Sequence, residues 1–236
     1  MKNKKKSELL KVSENSKKHI TYTLVNVVVY QSSRKVKMNY KNKKIILTDC
    51  DGVLLDWEYA FHVWMQERGY VLHEDAKLTY YIHLMYNNLE HDESKKLVRL
   101  FNESAAMGFV PALRDAVYYV KRLHEEYGYV FHCITSISKD VNAQKLRAMN
   151  LNKLFGASAF EEIVCLDTGA DKDEALEKYR SSELYWIEDK PENADLGHAI
   201  GLKSILFEHG HNMHHECPYP VVKNWKEIFR LITHSD

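Results

Sequence analysis

Apolar and polar positions follow two regular spacings from residue 43 onward. Short apolar runs typical of buried strands occur five times, at Ile45–Thr48 and at residues 129–134, 163–166, 184–187 and 204–207. Between these runs, apolar residues recur at helical spacing, and the first such face comprises Trp57, Ala60, Phe61, Trp64 and Met65. Strands that alternate with helices predict an α/β fold, here a Rossmann-like parallel sheet with helices on both faces.

The connection between the first two predicted strands is unusually long. It spans about eighty residues, whereas a plain crossover unit needs about thirty. The excess, residues 57–107, has helical patterning and predicts a small helical cap inserted after strand one. The core domain is then expected to comprise residues 43–56 and 108–236. Pro111 is expected in the first turn of the helix that leads to strand two.

Composition narrows the class of protein further. Of 236 residues, 45% are hydrophobic and 28% charged, which is ordinary for a globular protein. No apolar run approaches the roughly 20 residues that a membrane span needs, so no membrane partner is expected. The cysteines form no CxxC pair and predict reduced thiols in a cytoplasmic protein, not a zinc ribbon or a disulfide framework. They are Cys50, Cys133, Cys165 and Cys217.

The net charge of zero conceals a strong asymmetry. Residues 1–44 carry thirteen Lys or Arg and two Glu, a net charge of +11, and the rest of the chain carries −11. A basic arm on an acidic body is compatible with nucleic-acid binding. We favour a solvated tail, because residues 1–42 lack a steady helical period and are expected to be disordered or weakly ordered. Removal of residues 1–37 is expected to leave the melting temperature nearly unchanged.

Chemically reactive side chains follow several of the predicted strands. Strand one ends in Asp49-Cys50-Asp51-Gly52, strand two in Thr135-Ser136, and strand four in Glu188-Asp189. Lys172 begins the helix before strand four. Ligands of open α/β sheets bind beyond the carboxyl ends of the strands, so these groups are expected to converge on one crevice.

The carboxylates in this set indicate a metal. Asp49 and Asp51 lie two residues apart in an extended segment and can face the same side. Carboxylates that close repel each other unless a cation lies between them. With Glu188 and Asp189 they form an oxygen-only set that suits Mg²⁺. Because the metal would offset negative charge on both sides, such a site favours a small phosphorylated substrate.

The ordered set of motifs resembles the haloacid dehalogenase-like superfamily of phosphatases and phosphotransferases. The first motif of that family is an apolar strand followed by D-x-D-G-[TV], matched here by Asp49-Cys50-Asp51-Gly52-Val53. The second is an apolar strand that ends in Thr or Ser, matched by Thr135-Ser136. Lys172 matches the third, and the run from Glu188-Asp189 to Asn193 matches the fourth. The resemblance covers roughly residues 43–234 and implies a phosphatase with a helical cap.

The resemblance also implies roles for the matched residues. Asp49 would attack phosphorus to form an aspartyl-phosphate, and Asp51 would protonate the leaving oxygen and then take a proton from water. Asp49, the Asp51 carbonyl and Asp189 would hold Mg²⁺, with Glu188 as a direct or water-mediated ligand. Thr135 and Lys172 would contact the phosphoryl group. Gly52 would permit the tight turn beside it.

Several alternatives remain open from sequence alone. Ser136 could bind phosphate in place of Thr135, and Lys178 or Lys190 could compete with Lys172. The activity could be that of a nucleotide or nucleic-acid-end phosphatase, similar to the deoxyribonucleotidase-like branch of the family. A third alternative is a catalytically idle protein of this fold that binds nucleic acid through residues 1–44. Dehalogenase chemistry is disfavoured, because Asp51 supplies the acid/base that phosphate transfer needs.

Two further groups have competing interpretations. The cap residues Tyr80, Tyr81, His83 and Tyr86 could stack on a base, although core packing is favoured for each. Residues 209–217 contain four histidines and a cysteine and could bind zinc or contact substrate. An exposed polar loop is the favoured interpretation, since the spacing matches no standard zinc site. The four histidines are His209, His211, His214 and His215.

Overall fold

The computed structural model describes residues 43–234, which form one six-stranded parallel sheet with helices around it. Residues 1–42, the predicted basic extension, lie outside the described part. The strand order is β3-β2-β1-β4-β5-β6, and every neighbouring pair is parallel. The strands are β1 (Ile45–Thr48), β2 (Val130–Ser136), β3 (Phe160–Leu166), β4 (Tyr185–Glu188), β5 (Lys203–Phe207) and β6 (Val221–Val222). The predicted α/β fold class is confirmed.

Eight α-helices accompany the sheet in residues 43–234. They are α1 (Trp57–Gln66), α2 (Ile82–Met85), α3 (His91–Asn102), α4 (Ala116–Glu125), α5 (Val141–Phe155), α6 (Asp173–Glu177), α7 (Pro191–Ala199) and α8 (Trp225–Thr233). Short 3₁₀ helices cover Ala76–Leu78 and Ala105–Phe109. No helix in this described part is both long and apolar enough to cross a membrane.

Side chains of the central strands alternate between two hydrophobic clusters, one on each face of the sheet. Ile46 and Ile187 belong to the cluster that includes α4, α5 and α8. Leu47 and Trp186 belong to the opposite cluster, which includes residues of α6 and α7. Burial on both faces explains why the strands are continuous apolar runs without polar alternation.

The segment between β1 and β2 contains α1, α2 and α3 and packs on the first of these clusters. The Trp57 and Phe61 rings stack with centroids 4.7 Å apart. Trp57 Nε1 donates to Asn102 Oδ1 over 2.9 Å, and Asn102 Nδ2 donates to the Ile137 carbonyl over 2.9 Å. The inserted helices are therefore joined to the loop that follows β2. Their action as a cap, and the domain bounds drawn from it, stay predictions.

Two local expectations differ from the structure. The helix expected to start at Pro111 begins instead at Ala116, because the backbone before it runs beside the turn after β1. Leu113 N donates to the Leu54 carbonyl over 2.9 Å, which uses this stretch in pairing instead of in a helical turn. The sixth strand, Val221–Val222, was not predicted, since two residues carry no periodicity.

Candidate active site

Asp49 follows the last residue of β1 at the carboxyl edge of the sheet. Its backbone N donates to the Ile187 carbonyl over 2.9 Å, which joins it to the neighbouring strand β4. Its side chain lies in the interior, with the residue only 8% exposed. The chain then turns at Gly52, whose φ of +76° favours glycine, and a Cβ there would overlap the Asp189 carboxylate. Gly52 thus lets the turn approach Asp189.

Lys172 lies among the carboxylates at this edge. It immediately precedes α6 and is 3% exposed. Its Nζ is 2.7 Å from Asp49 Oδ1 and 2.7 Å from Glu188 Oε2. The ammonium also lies 5.4 Å from the centre of the Trp186 ring. The structure therefore brings together the predicted nucleophile, the predicted lysine and the acidic end of β4.

Glu188 and Asp189 are adjacent but differ in how their carboxylates are used. Glu188 is fully buried, and its Oε1 accepts from the backbone N of Asp189 and of Lys190, each over 3.1 Å. Its Oε2 accepts from Lys172 and, over 3.3 Å, from Asn193 Nδ2. A carboxylate offers about four acceptor sites, so those of Glu188 are all used by the protein. Glu188 is thereby suited to hold Lys172, and Asp189 to face a ligand.

The acidic cluster fits a hard divalent cation. One carboxylate oxygen from each of Asp49, Glu188 and Asp189 lies within 4.8 Å of the others. Burial and the neighbouring negative charges raise the pKa of Asp49 to about 8 and that of Asp189 to about 7. Lys172 alone does not offset three carboxylates, and oxygen-only donor sets suit Mg²⁺. The donor chemistry thus matches the predicted cofactor.

Asp51 has a partner that sequence reasoning missed. Arg147 on α5 is fully buried and donates through both terminal nitrogens to the two oxygens of Asp51, over 2.9 Å at Nη2. It also donates to Cys50 Sγ over 2.8 Å. Arg147 lies in line with Ala143 and Leu151 on the buried face of α5, and an arginine in an apolar stripe is the signal that could have found it.

The two hydroxyls at the end of β2 have different environments. Thr135 is fully buried, and its Oγ1 has no hydrogen-bond partner. Ser136 Oγ donates to the Ala170 carbonyl over 2.8 Å and so holds the loop that leads to Lys172. A buried hydroxyl without a partner is costly and calls for a ligand atom. Of the two hydroxyls, that of Thr135 is the one that no group in residues 43–234 uses.

Part of the loop after β5 is exposed as predicted, at His214 and Glu216, whereas the part around His209 and Asn212 packs against the site. His209 Nε2 donates to the Gly52 carbonyl over 2.7 Å. Asn212 is buried and donates to the Asp189 and Phe207 carbonyls. Within residues 43–234 the acidic cluster is the one group of metal-ligating side chains close enough to hold an ion, so the zinc interpretation of this loop is unsupported.

One wall of the site is built where this loop meets the inserted helices. The rings of His209 and His211 stack with centroids 5.7 Å apart, and Tyr80 meets His211 edge-on at 5.3 Å. Lys190 Nζ lies 5.7 Å from the centre of the Tyr80 ring. Tyr80 is half exposed, and burial of its hydroxyl with the charges of Asp189 and other acids raises its pKa. Tyr80 therefore lies at the mouth of the crevice.

No family model matches the chain. The chain is 26% identical over 159 residues to an uncharacterized 32.4 kDa protein in the Gp30-rIII intergenic region of Enterobacteria phage T4. The match covers 65% of this chain and 56% of that relative, so the chain spans little more than half of the relative's length.

Solved structures are similar over most of the chain. A haloacid dehalogenase-like family hydrolase from Streptococcus pneumoniae superposes with a TM-score of 0.56 at 14% identity, covering 81% of this chain and 99% of that one. A dehalogenase intermediate complex gives 0.54 at 12% identity, over 81% and 97%. The D,D-heptose 1,7-bisphosphate phosphatase of B. bronchiseptica, complexed with magnesium and phosphate, gives 0.50 at 9% identity, over 82% and 99%. The chain has the haloacid dehalogenase-like fold that its motifs resemble.

Proposed function

We propose that this protein is a Mg²⁺-dependent phosphatase that hydrolyses a small phosphate monoester through an aspartyl-phosphate. The observation that carries the proposal is the buried Asp49 carboxylate, 2.7 Å from Lys172 Nζ and clustered with Asp189. The partnerless hydroxyl of Thr135 supports it, because a phosphoryl oxygen would supply the missing hydrogen bond. Together these groups offer a nucleophile, a cation and a donor at one strand edge.

The first step forms a bond between an Asp49 oxygen and phosphorus as the ester bond breaks. Lys172 offsets negative charge on Asp49 and on the transferring group, and Glu188 holds Lys172 in place. In the second step water attacks phosphorus, the bond to Asp49 breaks, and its electron pair returns to the carboxylate. Asp51 is the group that exchanges protons with the leaving oxygen and the water.

Asp49, the Asp51 carbonyl and Asp189 are the groups that would hold Mg²⁺. The bound ion would offset the charge of the phosphate and of the carboxylates. The similar phosphatase of B. bronchiseptica is complexed with magnesium and phosphate, which supports both the cofactor and the substrate class. The Lys172 ammonium pairs with Asp49 and Glu188, which leaves the Asp189 carboxylate for the ion.

The identity of the leaving group would depend on the wall formed by Tyr80, Lys190 and His211. A half-exposed aromatic ring beside an ammonium could contact a nucleobase or the polar face of a small sugar. The nucleotide alternative therefore remains the second candidate within the phosphatase class. The nucleic-acid alternative depends on residues 1–44, of which residues 1–42 lie outside the described part.

The rival chemistry of the fold is dehalogenation, since one similar structure is a dehalogenase. The acidic cluster favours phosphate transfer, because three carboxylates around one lysine call for a second cation. Asp51 favours it too, since it supplies a proton-transfer group beside Asp49. A dehalogenase would release halide from a haloacid and would not need Mg²⁺ for charge balance with phosphate.

The direct test measures phosphate release from p-nitrophenyl phosphate and a panel of phosphate monoesters, with Mg²⁺ and with EDTA. Halide release from a short haloacid is measured in parallel. Asp49→Asn is expected to abolish phosphate release, while Asp92→Asn, the same change at a side chain 89% exposed on α3, retains it. Release by the Asp49→Asn variant at the wild-type rate, or release of halide alone, would overturn the proposal.

A further inference from the structure

Arg147 is a charged side chain with no contact to solvent beneath the candidate active site. It is 0% exposed, and it meets both oxygens of Asp51 and the Cys50 sulfur. The other titratable groups near the guanidinium are Cys133 and Cys165. Burial raises the pKa of both thiols, so they stay neutral. Asp51 is therefore the one carboxylate among these neighbours of the guanidinium.

Stability does not explain this pair. Removing a guanidinium from water costs several kcal/mol, on the order of what its ion pair returns. Apolar residues of similar size in place of a buried ion pair are often neutral or stabilising. Arg147 lies on the buried face of α5 with Ala143 and Leu151. The contact of Arg147 with both oxygens of Asp51 is a better explanation for its presence.

The geometry fixes Asp51 in one orientation. A guanidinium that donates to both oxygens of a carboxylate defines its plane. Two of the roughly four acceptor sites of Asp51 are then used, and the others can accept a proton. Arg147 thereby fixes the direction in which the remaining acceptor sites of Asp51 face.

We propose that Arg147 is a positioning residue that holds the Asp51 carboxylate as the base for hydrolysis of the aspartyl-phosphate. This inference rests on the proposed phosphatase function. As water attacks phosphorus, its proton passes to an Asp51 oxygen, the bond between phosphorus and the Asp49 oxygen breaks, and inorganic phosphate leaves. With a substrate whose leaving group departs without protonation, Asp51 acts in the second step only, so loss of Arg147 slows that step more than the first.

The test uses burst kinetics with p-nitrophenyl phosphate, whose leaving group departs without protonation. In Arg147→Met, we expect a p-nitrophenol burst that matches the active-site concentration, followed by a steady rate about 10- to 100-fold below that of wild type. KM falls with kcat, because the phosphoenzyme accumulates. Arg147→Lys keeps the charge with one donor group, and its steady rate is expected to lie between those of wild type and Arg147→Met.

Controls separate positioning from folding. Guanidinium ion added to Arg147→Ala, which leaves space beside Asp51, is expected to restore part of the steady rate that this variant loses, and Arg180→Met, at a side chain 52% exposed, changes neither phase. A burst amplitude that falls in proportion to kcat, with KM unchanged, would show a loss of folded enzyme and overturn the inference. So would an unchanged kcat. Wild-type protein inactive on every substrate would instead overturn the phosphatase proposal.

Discussion

Two lysines six residues apart show how the same side chain serves different ends in this protein. Lys172 is 3% exposed and lies between Asp49 and Glu188, with Asp189 close by. The Lys178 side chain is 28% exposed and pairs with Glu162 on β3. Both ammonium groups form short ion pairs, so pairing alone does not distinguish a site from a structural contact.

The difference lies in the balance of charge. The titratable ring beside the Lys178–Glu162 pair is His132, which hydrogen-bonds the Tyr179 hydroxyl over 2.7 Å. Burial lowers the pKa of His132, so the ring stays neutral and adds no charge to the pair. Glu162 and Lys178 then offset each other. Around Lys172, three carboxylates meet one lysine. An excess of buried charge of one sign is costly, and a site that retains it is prepared for a ligand of the opposite sign.

The largest expected effect separates these two lysines. Lys172→Met should lower kcat/KM by at least about 10²-fold, since it removes a cation from the reacting groups. Lys178→Met should change kcat/KM by less than about 3-fold and cost about 1 kcal/mol of unfolding free energy, because solvent still screens this partly exposed pair. Steady-state kinetics and thermal melts of both variants make the measurement. Equal losses of activity would contradict the comparison.

The next effect distinguishes the two acids at the end of β4. Asp189→Ala should raise the Mg²⁺ concentration for half-maximal activity by about 10- to 100-fold, because it removes a ligand. Glu188→Gln should act mainly on kcat, since the contacts of Glu188 are to Lys172, Asn193 and backbone N–H groups. Mg²⁺ titrations of activity test this. A larger metal effect at Glu188 would reverse the assignment.

A smaller effect distinguishes the hydroxyls that follow each other on β2. Thr135→Val should weaken inhibition by inorganic phosphate about 10-fold, the loss of one hydrogen bond to a charged group, and leave the melting temperature unchanged or raised. Ser136→Ala should leave phosphate affinity unchanged and cost about 1 kcal/mol of stability, because its hydroxyl holds Ala170. The opposite pattern would assign the phosphate contact to Ser136.

The smallest effect is on stability against pH. The pKa values of Asp49, about 8, and Asp189, about 7, exceed their ordinary value of 3.8. The metal-free folded protein therefore binds more protons than the unfolded chain between roughly pH 4 and 8, and its unfolding free energy falls as pH rises through that window. We expect Mg²⁺ to raise the melting temperature more at pH 8 than at pH 6. Each 1 kcal/mol corresponds to about 2–4 °C.

The control for this prediction is Asp49→Asn, which removes one of the two titrating groups. Its melting temperature should depend less on pH than that of wild type. If Mg²⁺ raised the melting temperature equally at both pH values, the cluster would not be releasing protons when it binds the ion.

Much of the fold and of the site follows from local sequence. The strand Ile45–Thr48 was predicted with its observed bounds, because a buried parallel strand is an apolar run and Asp-x-Asp-Gly ends it. The sequence also predicted Asp49, Lys172 and Asp189 at one edge, since the carboxyl ends of parallel strands meet there. Their chemical roles stay predictions.

What sequence could not supply are pairings between distant segments. Arg147 and Asp51 are 96 residues apart, and only the folded chain shows that one faces the other. His209 and Gly52 are 157 residues apart, and a loop rich in histidine and proline predicts exposure and not this contact. The helical spacing of α5 could mark Arg147 as buried, but no spacing identifies Asp51 or Gly52 as the partner in either pair. Buried polar contacts of this kind depend on tertiary packing.

The most direct test of the account is to locate the phosphoryl group on the protein. The enzyme would be mixed with p-nitrophenyl phosphate and Mg²⁺, quenched in acid and digested for mass spectrometry. We predict a phosphoryl group on Asp49, absent from Asp49→Asn and more abundant in Arg147→Met. A phosphoryl group on another residue would contradict the account. So would phosphate release without any phosphoenzyme in wild type or in Arg147→Met.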